Sequence, residues 1–307
     1  MLIKLIPVEL LFFYFRYMIK KPLTFLSLPS LGDIEHILSK FPFPISLIEG
    51  QFKNLKMVIR NNSIEFFHGD LDIKDFSFVW LTSGWINRET AYALHLYLVE
   101  HQTPHSDVEK STSKVTDTMT FGLAGLPLPN TVFLNTRDIV SDIPLIKEVC
   151  GFPLIIKDAK GSCGKYSELV RHERELVETL ASLPDDRRFL FQEFVENDYD
   201  WGVMVANGVV VSGEKSYGAD GEFRNNLANG ASEVFVSVDE IPENIKEIAI
   251  EACASLGLSW SRADVIIDKA TGNPYLLEVN RYPSAAHETE AQGAFEFLSS
   301  HIGTAVR

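Results

Sequence analysis

The stretch Leu276–Arg281, "LLEVNR", sets a carboxylate and an amide two positions apart in an apolar run. Strand side chains alternate between faces, so Glu278 and Asn280 point one way while Leu277 and Val279 point the other. A half-buried strand with one wet face explains this pattern. So does a pair of oxygen ligands aimed at one hard cation. Asp264 lies in the preceding strand-like run, "RADVIID", and a turn at Thr271-Gly272-Asn273 joins the two runs as a hairpin. Antiparallel pairing then brings Asp264 to the Glu278–Asn280 end. Asp, Glu and Asn oxygens suit Mg²⁺, which keeps several waters and is completed by substrate phosphates.

Polyphosphate needs positive charge as well. Lys157 ends the buried run "LIIKD", where an ammonium is costly unless it is paired or reaches solvent. After it comes Gly161-Ser162-Cys163-Gly164-Lys165, a loop able to bend backbone N–H groups over phosphates. The spacing is not that of a Walker loop, and GxxG alone is a weak signal. Arg224, Asn225 and Asn226 in "EFRNN" add a guanidinium and two amides, either for phosphate or as a solvated loop.

The elements that must position these groups are α/β in pattern. "PLTFLSL", "ISLI", "FSFVWLTS" and the pair in "KMVIRNNSIEFFHG" read as strands; "GDIEHILSKF" and "NRETAYALHLYLVEH" read as helices. A helix capped by Ser111 or Ser113 runs to Gly125, and "DIPLIKEVCGFP" is another, stopped at Gly151 and Pro153. A helix over 173–183 leads to the strand "FLFQEFV". "DWGVMVANGVVVSGEKS" is a hairpin about Asn207-Gly208. "EIPENIKEIAIEACASLGL" is an amphipathic helix, and a last helix starts near Ala285. The expected domains are an apolar extension (1–20), an α/β domain (21–108), a smaller subdomain with its linker (109–190) and a C-terminal subdomain (191–307).

The 307 residues carry a formal net charge of -14 with a pI of about 5.0, which argues against general nucleic-acid binding. Three cysteines, Cys150, Cys163 and Cys253, match no metal spacing and fit a reducing cytoplasm better than a disulfide framework. Lys4, Glu9 and Arg16 interrupt the apolar N-terminus. That favours a helix packed on the body over an interfacial membrane anchor.

In chain order, the lysine strand, glycine loop, "QEFV", Asp200, "GEFRNN", Asp264 and "EVN" resemble the ATP-grasp superfamily, most closely its RimK-type amino-acid and peptide ligases. The resemblance covers residues 105–284. It implies an N-terminal α/β domain followed by two α+β subdomains that sandwich ATP. By the same resemblance, Lys157 and Lys114 contact phosphate, as do the loop residues Gly161, Ser162 and Gly164. Glu193 and Phe194 form the adenine hinge, and Asp200 holds ribose. Arg224 and Asn226 touch the phosphates with Asn225 between them, and Arg224 and Lys157 act catalytically. Asp264, Glu278 and Asn280 bind two Mg²⁺ ions, for which Mn²⁺ is the alternative.

The implied chemistry is ATP-dependent joining of a carboxylate to the amine of an amino acid or peptide through an acylphosphate. The alternative is an ATP-binding module that has lost catalysis. Ser216 and Tyr217, with Lys215 adjacent, stand where relatives often carry a basic pair. Arg281-Tyr282-Pro283 replaces the usual small residues, and Arg281 reads either as a clamp for a substrate carboxylate or as a structural ion pair. These departures count against glutamate specificity, and a homo-oligomer is among the expected partners.

Overall fold

The computed structural model describes residues 23–30, 35–61, 63–108, 112–134, 139–161, 164–184, 186–281, 283 and 285–305. The apolar residues 1–20, Ser111, Ser162, Cys163 and Tyr282, on which expectations rest, lie outside these. The chain divides into two compact units. One takes in residues 1–83, 89–108 and 284–307; the other takes in 84–88 and 109–283.

In the first unit, β1 (Leu23–Leu28) pairs in parallel with β2 (Ile45–Glu49) and β6 (Phe78–Leu81). Between them lie α1 (Glu35–Leu38), which stops three residues before the end of its sequence pattern while residues 32–34 of that pattern lie outside the described residues, and an antiparallel meander of β3 (Leu55–Arg60), β4 (Ser63–His68) and β5 (Leu71–Asp72). The β3–β4 hairpin turns at Asn61, whose φ of 51° suits an asparagine. Leu26, Leu28, Val79 and Leu81 meet Ala91, Leu94 and Leu98 of α2 (Arg88–Glu100) in one apolar core.

The second unit opens with α3 (Lys114–Leu123), where Thr116 Oγ1 accepts the Ser113 N–H at 3.1 Å and secures the first turn. Its smaller sheet is antiparallel and consists of β7 (Thr131–Phe133), β8 (Leu154–Asp158), β9 (Ser167–Val170) and β10 (Phe189–Glu193), ordered β7-β10-β8-β9. Period-two alternation turns Leu154, Ile156 and Phe191 toward α4 (Ile143–Cys150) and α5 (Glu173–Ser182), where Ile146 and Leu176 close the core. Lys157 and Gln192 are left for the other face.

The larger sheet contains β11 (Asp200–Ala206), β12 (Val209–Tyr217), β13 (Ser232–Val236), β14 (Trp260–Ile267) and β15 (Pro274–Asn280), ordered β13-β12-β11-β14-β15. The β11–β12 hairpin turns at Asn207-Gly208, both at positive φ (48° and 77°), as a two-residue turn demands. One face presents Trp201, Val203, Val205, Ala263 and Val265 to α6 (Glu243–Ser255). Ile245, Ile248, Ala249 and Ala252 of α6 recur at helical spacing on the side it buries. Each fully buried isoleucine contributes roughly 1.5–3 kcal/mol.

Strict alternation along β15 fails at one place. The register shifts between Asp264 and Val265, so Asp264 faces Glu278 while Val265 faces Leu276. Leu277 is the extra residue. Leu276, not Leu277, therefore joins Val279 in the core, and it is fully buried. The bulge reconciles an apolar Leu276 with a polar Glu278 two positions on. The chain ends in α7 (Glu288–Ala305), which belongs to the first unit and starts three residues later than its pattern suggests.

Candidate functional site

The face of the larger sheet away from α6 carries the polar groups in rows. Glu214, Gly202, Asp264 and Glu278 lie opposite one another on four successive strands. Met204, Arg262 and Asn280 form the next row. Strand alternation alone puts these side chains on one face.

The hairpin brings the three expected metal ligands together. Asn280 Nδ2 donates to Asp264 Oδ2 at 2.7 Å, and Asp264 stands opposite Glu278. Burial pushes the Asp264 carboxyl up and the Arg262 guanidinium opposes that. The Lys114 ammonium holds Glu278 well below the usual carboxylate range. Asp264 Oδ1 is buried without a hydrogen bond, 3.3 Å from Arg262 Nε. No cluster of three His, Cys, Asp or Glu suited to a metal occurs among the described residues. The set here is two carboxylates and an amide, which fits a hard, partly hydrated divalent ion whose remaining oxygens come from water and phosphate.

The expected phosphate-binding lysines reach the same region. Lys114 leads α3, its N–H donates to Ala159 O at 2.8 Å, and its ammonium pairs with Glu278 Oε2. Lys157 donates to Gln192 Oε1 at 2.7 Å, and Gln192 Nε2 in turn donates to Thr131 Oγ1 at 2.9 Å. This chain crosses β8, β10 and β7, so the strand-end lysine is held rather than free in solvent. Burial first, then the like charge of Lys114, lower the Lys157 ammonium to about 8, while Glu278, Asp200 and Asp264 pull the other way. Lys114, Lys157 and these three carboxylates therefore share one electrostatic neighbourhood.

The "EFRNN" segment and the glycine loop also meet. Arg224 makes a fork to Glu222, with Nε–Oε1 at 2.8 Å and Nη2–Oε2 at 2.7 Å, and its Nη1 donates to Gly164 O at 3.2 Å. Gly164 has φ +69°, and a Cβ there would stand 3.0 Å from Arg224 Cδ and 3.2 Å from Asn226 Nδ2. Asn226 Oδ1 caps the turn that follows by accepting the Asn229 N–H at 3.1 Å. At Gly161 a Cβ would meet Lys165 O at 2.8 Å, so the Gly161 and Lys165 backbones approach too closely for a side chain at Gly161.

Asn225 Nδ2 donates to Asp200 Oδ1 at 2.7 Å and to Asn197 Oδ1 at 2.8 Å. Burial pushes the Asp200 carboxyl up to about 7. At the expected hinge, Glu193 N–H donates to Asn130 O at 2.9 Å and Phe194 N–H to Pro153 O at 3.2 Å.

Arg281 is committed elsewhere. Its Nη2 donates to Asp117 Oδ1 at 2.7 Å and its Nη1 to Val279 O at 2.6 Å, in a site where both charged side chains are 5% exposed. Its guanidinium lies 5.0 Å from the Trp85 ring. The structural ion pair, not the substrate clamp, is what the contacts support. Cys150 and Cys253 are buried free thiols whose pKa values burial raises, to about 11 and about 12.

Sequence reasoning missed Arg262 and Glu214. Arg262 Nη2 lies 2.7 Å from Glu214 Oε1, which is buried. The available signal was Arg262 two positions before Asp264 on one strand, which places both on the same face.

Residues 114–293 match the family model for the RimK-like ATP-grasp domain. A protein of Psychromonas ingrahamii named as a probable alpha-L-glutamate ligase is 29% identical over 206 residues, covering 64% of this chain and 65% of that one. This chain thus spans less than two thirds of the length of that curated relative. Among solved structures, D-alanyl-alanine synthetase A from Vibrio cholerae aligns with a TM-score of 0.68 at 16% identity, covering 94% of this chain and 99% of that one. D-alanine–D-alanine ligase from Bacillus anthracis, complexed with ATP, aligns with a TM-score of 0.65 at 17% identity, covering 94% and 98%. These likenesses establish the ATP-grasp fold.

Proposed function

Because the chain belongs to the RimK-like ATP-grasp family, we propose that it is an ATP- and Mg²⁺-dependent ligase that joins a carboxylate to the amine of an amino acid or peptide. The observation that carries this reading is the shared neighbourhood of Lys114, Lys157, Asp264, Glu278 and Asn280. Cations for a triphosphate face oxygen ligands for a divalent ion there.

In the proposed reaction a substrate carboxylate oxygen attacks the γ-phosphorus, the bond to the β-phosphate oxygen breaks, and ADP leaves. The amine nitrogen then attacks the acyl carbon of the acylphosphate, loses a proton, and phosphate departs. No covalent bond to the protein is needed. Lys157, held by Gln192, and Arg224, held by Glu222, keep fixed positive charge beside the transferring group. Asp264, Glu278 and the Asn280 side-chain oxygen would hold the metal, which supplies charge neutralisation on the phosphate oxygens when bound. Asp200 and Asn225 would take the ribose hydroxyls. Both hinge N–H groups already donate within the protein, so an adenine edge placed there would meet carbonyl oxygens.

Phosphate release measured across pooled amino acids and peptides, with mass spectrometry of the product, tests the reading. L-glutamate comes first, given the name of the relative. Release that depends on ATP, Mg²⁺ and an amine substrate is expected, and Glu278→Ala abolishes it. Full activity in that variant refutes the metal assignment. Calorimetric ATP binding with no turnover on any pool favours the inactive-module alternative.

A further inference from the structure

Two positive groups compensate the acidic row on the larger sheet. Arg262 bridges Glu214 and Asp264 from within the same face. Glu278, at the end of the row, takes its cation from a different element, because Lys114 reaches it from the first turn of α3, 164 residues away in sequence. The lysine's own backbone is fixed, since its N–H is bonded to Ala159 O, two residues past Lys157. The Lys114 side chain is only 19% exposed, so its ammonium is not a solvated surface charge that water screens away. It therefore contends with any second cation that approaches the same carboxylate.

We propose that Lys114 is a built-in counter-ion of Glu278 that competes with the divalent cation and is drawn off by the nucleotide phosphates, so that tight metal binding depends on bound nucleotide. The inference rests on the metal reading of Asp264, Glu278 and Asn280. With Lys114 on Glu278, a divalent ion meets one neutralised carboxylate and the repulsion of an ammonium in contact with it. A triphosphate brings several negative charges beside Lys114 and Lys157. It offers Lys114 a stronger partner than a single carboxylate and leaves Glu278 open to the metal. Lys157 takes no part in the exchange, because its partner is the neutral Gln192 amide and it can meet phosphate without breaking an ion pair. Metal and nucleotide then bind with positive coupling beyond the direct attraction of phosphate for metal.

Mn²⁺ binding to the full chain without nucleotide, followed by electron paramagnetic resonance of the free ion, tests this independently of turnover. Lys114→Met is expected to bind Mn²⁺ at least tenfold tighter than the parent, a conservative fraction of the roughly thousandfold that removing one unit charge at about 4 Å is worth at an effective dielectric near 20. A non-hydrolysable ATP analogue should strengthen Mn²⁺ binding less in this variant than in the parent. Lys114→Arg keeps the charge and should behave as the parent. Melting curves check folding, and Lys114→Gln carries the same expectation should the Met variant fail to fold. Glu278→Gln should weaken Mn²⁺ binding and cancel the gain when combined with Lys114→Met. Mn²⁺ affinity within twofold of the parent in both neutral variants, with Glu278→Gln still weakening it, overturns the competition while the metal reading stands. Mn²⁺ binding indifferent to Glu278→Gln in every background overturns the metal reading, and the competition falls with it.

Discussion

Arg262 reaches Glu214 across Gly202. The ion pair measures 2.7 Å, and the glycine on the strand between them leaves the gap it passes through. A Cβ on Gly202 would stand 2.1 Å from Glu214 Oε1 and 2.3 Å from the Arg262 Nε and Nη2. The missing side chain is therefore a requirement of the pair, and through Arg262 of the setting of Asp264.

Gly202→Ala is expected to break this pair and lower stability by about 3–5 kcal/mol, the cost of breaking a buried ion pair. The melting midpoint should fall by on the order of 10 °C. Arg262→Met alone should do similar damage, because Glu214 stays buried. Adding Glu214→Leu should recover much of the loss, because an apolar pair removes the buried carboxylate along with its cation. Thermal melts of the three variants check this. A double variant no more stable than Arg262→Met would show that the pair is not the source of the loss.

Lys157 gives the site a pH dependence of definite sign. Its folded pKa is depressed from 10.5 to about 8, mainly by burial. A depressed group contributes stability above its unfolded pKa and loses it as pH falls through the folded one. At pH 7 the nucleotide-free protein thus carries a destabilising charge. Lys157→Met should raise its melting midpoint by a few degrees at pH 7, with the gain shrinking as pH climbs past 8. Phosphate favours the charged form, so affinity for a non-hydrolysable ATP analogue should fall above pH 8. Binding there should take up a proton, visible in calorimetry as a dependence on buffer ionisation enthalpy. A flat affinity from pH 7 to 9.5 contradicts the assignment of Lys157 to phosphate.

Asp200 runs in the opposite direction. Burial raises its pKa from 3.8 to about 7, so its contribution is fully present below 3.8 and is lost as pH rises through 7. Asp200→Asn should leave stability at or below pH 3.8 little changed and increase it progressively as pH rises from there to 8. If the residue holds ribose, the same change should weaken ATP about tenfold, the worth of one charge-assisted hydrogen bond. It should weaken 2′,3′-dideoxy-ATP much less.

The hairpin carrying Asp264, Glu278 and Asn280 was legible because period-two alternation and a Gly-Asn turn are local properties. The bulge at Leu277 was not, since it depends on how β15 registers against β14. Only the finished core reveals that Leu276 has to be inside. Arg262 and Glu214 escaped for a related reason. They lie 48 positions apart and touch only because a third strand, bearing Gly202, runs between theirs. Lys114 came from family resemblance alone, and no periodicity announces its contact with Glu278. The small parallel sheet of the first unit was readable as strands, but its order β2-β1-β6 was not, because strand order is set by packing between distant segments.

Arg224 and Gly164 supply the last prediction. The guanidinium is fixed on one side by the Glu222 fork and on the other by Gly164 O. It is thus oriented by the protein's own groups. Gly164→Ala meets two obstacles: a φ of +69°, which costs an alanine roughly 1 kcal/mol, and a Cβ 3.0 Å from Arg224 Cδ. The stability loss should be small and the displacement of Arg224 functional, appearing as a KM for ATP raised about tenfold with a modest change in kcat. Arg224→Lys keeps the charge but not the fork and should lower kcat by about 100-fold, as the loss of one preorganised transition-state donor does. Steady-state kinetics on both variants separates the two effects. A Gly164→Ala enzyme with unaltered KM would mean that Arg224 does not act where the loop meets phosphate.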